Sequence, residues 1–516
     1  MDLSPYSNVS RSTRQKLPVS RLIFALLASI LLSACGGDGD SSPSEPGIPT
    51  PPVTNAAPEL NLATESVSIE ANSSQTISFT ASDADGDSLT VTTSSSDSLE
   101  ISHTENELIL TLGENLEQSV ETITLSVSDG TDTVSRQLIV TLQPQPILIE
   151  PQLPEISFDY AGVTLPQHFL QNDFPANFQF QSAAIDSDNT PSNNLVTNAG
   201  ATLGRVLFYD TQLSANNTVS CASCHIQELS FSDSRQVSLG FDGGETRRHS
   251  MGLANARFYQ TGRFFWDERA GSLEEQVLMP IQDEVEMGLS LDELFSNVSS
   301  QGYYSPLFSA AFGDEQVSSD RIALALAQFV RAMASMDARY DQGRSQVSDP
   351  LQPFPNFTTQ ENNGKRLFMT FRNGIPPCTS CHSSEAFVGP LIGPDSNATT
   401  IASNNGLDEQ SDDDLGVFET TGINGHTGKF KVPSLRNIGV RPPYMHDARF
   451  SSLEETIEHY SSGIKPHPTL QALLRNQVGN PVQYNFSAEE QADLVAFLHT
   501  LTDESFLNDE KFSDPF

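Results

Sequence analysis

The chain has 516 residues, with 66 acidic side chains against 27 basic ones and a formal net charge of −39. So acidic a chain is excluded from nucleic-acid binding, which needs basic patches, and suits a basic protein partner instead. Its 37% hydrophobic content supports packed cores rather than disorder, and its length calls for about three domains rather than one. The five cysteines, Cys35, Cys221, Cys224, Cys378 and Cys381, are too few for a disulfide scaffold, so chemistry is the better reason for them.

Residues 1–34 open with Arg11, Arg14, Lys16 and Arg21, continue with an apolar run from Leu22 to Leu32, and end at Ser33-Ala34 ahead of Cys35. The run falls short of the about 20 residues that span a bilayer, and the order of basic, apolar and small residues resembles a bacterial lipoprotein signal. That resemblance implies cleavage before Cys35, lipidation of that cysteine, and a Gram-negative outer-membrane location facing the periplasm or the cell surface, with membrane attachment through the lipid alone. Residues 35–57, rich in Gly, Ser and Pro, read as a tether.

From 58 to 143, runs such as SVSIEA, ELILTL and ETITLSVSD alternate apolar and polar residues between turn residues. The alternation predicts a small antiparallel β-sandwich, and the region resembles cadherin-like or immunoglobulin-like modules. Its Asp83, Asp85 and Asp87 read either as a calcium loop or as an acidic turn. A Pro-rich linker covers 144–158.

Beyond residue 158 the periodicity becomes helical. Arg321 to Arg339 has helical apolar spacing, and Ser487 with Glu490 forms a capping box ahead of Leu494, Phe497, Leu498 and Leu501. Each of these helices follows a cysteine segment, which suggests two related domains, 159–345 and 346–505, followed by a tail at 506–516.

The cysteine segments are Cys221-Ala222-Ser223-Cys224-His225 and Cys378-Thr379-Ser380-Cys381-His382, both CxxCH. In this spacing two thiols bond to the porphyrin vinyl groups while the adjacent imidazole reaches the iron. Two haem c groups are therefore expected, on Cys221 and Cys224 with His225, and on Cys378 and Cys381 with His382. A redox-active thiol pair or a shared zinc site is the alternative reading.

Three longer stretches, beginning LGRVLFYDTQLS, FFWDERAGSLEEQ and FKVPSLRNIGVRPPYMHD, carry a further likeness over about residues 160–505. They resemble the bacterial dihaem cytochrome c peroxidase and MauG family. The resemblance implies two mainly α-helical, class I cytochrome c-like domains, with the N-terminal haem reacting with peroxide and the C-terminal haem relaying electrons. It also implies roles for individual residues. Glu286 is the catalytic acid/base, Gln276 a distal-pocket residue that orients peroxide, and Trp266 the relay between haems. Without the resemblance Glu286 reads as a surface carboxylate and Trp266 as interface packing. A distal His expected eight residues before Asn255 is replaced by Arg247; His249 lies nearby. Tyr460 falls where MauG-like members place a tyrosine ligand to the second haem iron, with Met445 as the alternative. Asn255, Arg441 and Pro443 match positions that hold a calcium ion between the domains.

These readings favour a peroxidase that reduces hydrogen peroxide with electrons from a periplasmic donor such as a small cytochrome c or copper protein. MauG-like oxidation of a protein or organic substrate, and surface electron transfer without peroxide chemistry, are the competing functions.

Overall fold

The computed structural model describes residues 54–115, 117–143, 150–171, 183–391 and 400–516. Cys35 and the expected signal peptide lie outside these residues. The chain divides into two compact units near residue 147.

In the first unit, eight strands form among the described residues: β1 (Glu59–Leu62), β2 (Ser66–Glu70), β3 (Ser73–Ser82), β4 (Thr90–Thr93), β5 (Leu99–His103), β6 (Glu107–Leu112), β7 (Ser119–Ser128) and β8 (Thr133–Gln143). They make two four-stranded sheets, ordered β1-β3-β6-β5 and β2-β8-β7-β4. The alternation has its expected effect. Leu108, Leu110 and Leu112 of β6 turn inward and pack in one core with Ile123, Leu125 and Val127 of β7 and Leu138, Val140 and Leu142 of β8. One pairing departs from the antiparallel expectation, because β2 runs parallel to β8, with Val67 opposite Val140. The period of two assigns faces but not strand direction, and here the chain reaches β8 only after three strands in the other sheet.

The second unit is mainly helical and repeats one arrangement. Helix α1 (Asn198–Tyr209) precedes the first CxxCH and packs against α2 (Ser319–Ala332), while α3 (Thr359–Met369) precedes the second and packs against α4 (Ala488–His499). Both pairs cross at a glycine. A Cβ on Gly204 would strike the carbonyl oxygen of Ala325, and one on Gly364 would strike that of Asp493, so the backbones approach as closely as only glycine allows. The Ser487–Glu490 capping box forms at the start of α4 as expected.

Two sequence expectations are corrected. Helix α2 stops at Ala332 instead of continuing to Arg339. Side chains compete for the next backbone donors: Asn255 Oδ1 accepts from Ser335 N, and Asp503 Oδ2 accepts from Met336 N and Asp337 N. Residues 506–516 are no loose tail. Phe506, Leu507 and Phe512 are buried in the core of the N-terminal haem lobe, and Tyr160, Arg205 and Tyr209 donate to the carbonyls of Lys511, Ser513 and Phe512. No helix among the described residues is long and apolar enough to cross a membrane.

Candidate functional site

Cys221–Cys224 forms a single helical turn capped by Ser220 and Ser223. Both thiols are unpaired, and burial pushes them up, Cys221 to about 12 and Cys224 to about 11. Such thiols are neutral, which is the wrong state for a redox-active pair. His225 Nδ1 lies 2.7 Å from the carbonyl oxygen of Phe231. A carbonyl only accepts, so Nδ1 carries the proton, while the Met251 carbonyl also acts on the ring. Burial, the largest influence on this ring, favours its neutral form.

The second motif opens into a largely apolar cavity lined by Cys378, Cys381 and His382 together with Tyr460 and Met445. Burial raises the Cys378 and Cys381 thiols to about 12 and about 11 and holds His382 down at about 4. His382 Nδ1 is buried without a hydrogen-bond partner. Two cations also line this cavity, Lys431 and Arg441, each at least nine-tenths buried. Among the described residues neither has a carboxylate within the 4.0 Å of an ion pair, and Arg441 Nε has no partner at all. Lys431 feels the charge of Glu268, while Arg441 donates to the Ser434 carbonyl, and a bound anion would offset the burial of both. A haem fits this donor set, since it brings an iron for the imidazole, vinyl groups for the thiols and carboxylates for the cations.

Glu286 belongs to the first motif. It is part-buried, and its carboxyl is pushed up to about 7 by burial and by the nearby charge of Asp283, with Arg269 opposing. Its own charge helps to raise Cys221 and Cys224, which sets it within electrostatic reach of that haem site. The Glu286 backbone is held by Asp283 Oδ1, 3.2 Å from its N–H, and by Phe241 N–H, 3.0 Å from its carbonyl. Gln276 ends a short helical turn, Leu273–Gln276, capped by Ser272. Its side-chain amide makes no hydrogen bond among the described residues.

Trp266 stands where the two haem lobes meet. Its indole N–H donates to the carbonyl of His249 at 2.8 Å, and its own carbonyl accepts from Lys431 N at 2.8 Å. The ring also lines the second cavity, 6.3 Å edge-on from His446, which in turn stacks on Phe430 at 3.6 Å. Arg247 is held in an ion pair with Glu419. Both ring nitrogens of His249 are engaged, Nδ1 at 3.0 Å from Arg235 O and Nε2 at 3.3 Å from Ser232 Oγ. Neither residue therefore offers an iron ligand as it stands.

Tyr460 lies in a turn of π-helix, His459–Gly463. Burial raises its phenol to about 12, with the hydrogen bond from Asn405 opposing. Asn405 Nδ2 is 3.2 Å from Tyr460 Oη and 3.6 Å from Met445 Sδ. Asn405 was not anticipated from the sequence; it lies 55 residues from Tyr460 in the chain and carries no motif.

The residues matched to a calcium site, Asn255, Arg441 and Pro443, would offer it an amide oxygen and two backbone carbonyls. Asn255 is fully buried, with Nδ2 donating to Ser335 O and Oδ1 accepting from Ser335 N. Arg441 brings a buried positive charge, its guanidinium donating to Ser434 O, and the trio with Pro443 supplies no carboxylate.

The di-haem cytochrome c peroxidase family model matches residues 198–347. Methylamine utilization protein MauG of Methylorubrum extorquens is 33% identical over 312 residues, covering 60% of this chain and 80% of that protein. Cytochrome c551 peroxidase of Nitrosomonas europaea is 29% identical, covering 63% of this chain and 87% of its own length. A crystal structure of a MauG-like protein associated with microbial copper homeostasis superposes with a TM-score of 0.54 at 33% identity, covering 63% of this chain and 95% of that one. With its paired haem lobes, and with relatives matched over most of their length, the chain belongs to the di-haem cytochrome c peroxidase and MauG family of haem-dependent oxidoreductases.

Proposed function

We propose that the chain is a c-type dihaem peroxidase that reduces hydrogen peroxide to two waters with two protons and two electrons. The observation that carries this reading is Glu286, a half-hidden carboxyl beside the first cysteine pair, poised near neutrality. A group with that affinity accepts and returns a proton with little cost in either direction. Haem, when bound at the two CxxCH motifs, would supply the peroxide-binding iron and pass on the donor's electrons. Glu286 would be placed to accept a proton from one peroxide oxygen and return it to the other. Gln276 offers its unengaged amide to orient the peroxide. Trp266, hydrogen-bonded between the lobes, would carry electrons from the second haem to the first. The acidic chain suits a cationic donor protein, such as a small cytochrome c or a copper protein.

The N-terminal segment supports an exported lipoprotein, tethered to the outer membrane through Cys35. A second reading, MauG-like oxidation of a protein or organic substrate, is favoured by Tyr460 in the second cavity, because an anionic oxygen ligand stabilises oxidised iron. The deciding experiment is Glu286→Gln in the haem-loaded protein. Peroxide turnover is expected to fall by about a hundredfold, the scale of a lost acid/base group, with both haems still attached. Turnover within a few-fold of the parent removes Glu286 from the mechanism.

A further inference from the structure

The second cavity presents two candidate axial ligands to one haem, and a single side chain touches both. Asn405 Nδ2 carries two hydrogens, and it stands 3.2 Å from the Tyr460 oxygen and 3.6 Å from the Met445 sulfur. We infer that Asn405 is the positioning residue that selects the axial ligand of the second haem, favouring the Tyr460 oxygen and holding the Met445 thioether in reserve. This rests on the reading of Tyr460 as that ligand.

The argument is one of hydrogen-bond inventory. An amide N–H is only a donor. Given to a tyrosine oxygen, it fixes the phenol's position while leaving further lone pairs for a metal. A thioether sulfur is a much weaker acceptor. At 3.2 Å from the oxygen and 3.6 Å from the sulfur, the NH₂ is set against the stronger acceptor.

Asn405 is itself held firmly. Its carbonyl lies 3.1 Å from His459 Nε2, on the residue preceding Tyr460, so one asparagine grips the ligand turn through both its backbone and its side chain. The flanking residues clamp the segment: Gly406 N donates to Asn404 Oδ1, Lys465 N to Gly406 O, and Gln471 N to Asn404 O. Gly406 has φ +72°, and a Cβ there would lie 2.7 Å from Ile464 Cγ2, so the chain passes too close for any other residue. Met445 also sits in the left-handed region, at φ +82°. A methionine rarely adopts that conformation, and here it belongs to the turn that brings the sulfur to Asn405.

The test uses the ferric, haem-loaded protein, with haem content measured chemically and the second haem followed by optical, magnetic circular dichroism and EPR spectra and by redox titration. Tyr460→Phe must first change the parent spectrum; if it does not, the Tyr460 reading fails and this inference with it. Given that change, Asn405→Leu is expected to replace the tyrosine-ligated signature with that of a thioether ligand and to raise the midpoint potential. Asn405→Leu combined with Met445→Leu is expected to abolish the thioether signature. Asn405→Asp, close in size but without N–H donors, is expected to shift the spectrum in the same sense and serves if the leucine variant loads haem poorly. A parent-like spectrum and potential in the Asn405 variants, alongside a changed Tyr460→Phe spectrum, overturns the inference while leaving Tyr460 as ligand.

Discussion

Replacing Glu286 by Gln should do two opposite things, and both follow from one side chain. The carboxyl is raised from its ordinary 4.5 to about 7, chiefly by burial. Ionising it in the fold therefore costs about 3 kcal/mol more than ionising it in the unfolded chain. Between about pH 4.5 and 7 the folded state holds the proton that the unfolded state has lost, so this group's contribution to stability declines as pH rises through that window. Glutamine has nearly the same shape and never ionises. The variant should thus match the parent near pH 4 and exceed it above pH 7, by an amount approaching about 3 kcal/mol before partial solvent exposure reduces it. Turnover should move the other way: in the parent it falls as pH drops through about 7 and the carboxylate is lost, while in the variant it is low throughout. The assay is denaturant unfolding of parent and variant at pH 5 and pH 8, paired with peroxide turnover across the same range. A variant no more stable at pH 8 than at pH 5, relative to the parent, would show that Glu286 is not held neutral by burial, and the case for a poised proton carrier would fall.

Trp266→Phe should leave the resting spectra of both haems unchanged while slowing electron transfer between them, as read by rapid mixing of the half-reduced protein with peroxide; unaltered kinetics would make Trp266 only a packing residue. Gly364→Ala places a methyl against the Asp493 carbonyl and should destabilise the C-terminal haem lobe by about 1–3 kcal/mol, measurable as a lower unfolding midpoint.

Much of the site was legible because covalent haem attachment demands a contiguous spelling. Cys221 to His225 and Cys378 to His382 announce themselves, and the helix flanking each can be placed by its apolar period. Local rules also held where the interaction was local, as in the Ser487–Glu490 cap. What stayed hidden depends on residues far apart in sequence. Helix α2 ends where it does because Asn255 and Asp503, from distant segments, take its next backbone donors. Parallel pairing of β2 with β8 leaves no trace in a two-residue period. Arg441, matched in the sequence only to a calcium position, shows its buried charge only in the fold, and Asn405 carries no signal in its own neighbourhood.

The closing of residues 506–512 onto the N-terminal haem lobe has a bearing on how the molecule is made. Tyr160 meets Lys511 across 351 positions of chain, and Phe231 packs against both Phe506 and Phe512. The lobe that contains Tyr160 and Phe231 therefore cannot complete its core until residues 506–512 have been added. The second lobe closes on helix α4 and Leu501, only a few residues sooner. Cys221 and Cys224, made long before either core can close, should therefore stay accessible to the haem-attachment machinery for longer than Cys378 and Cys381.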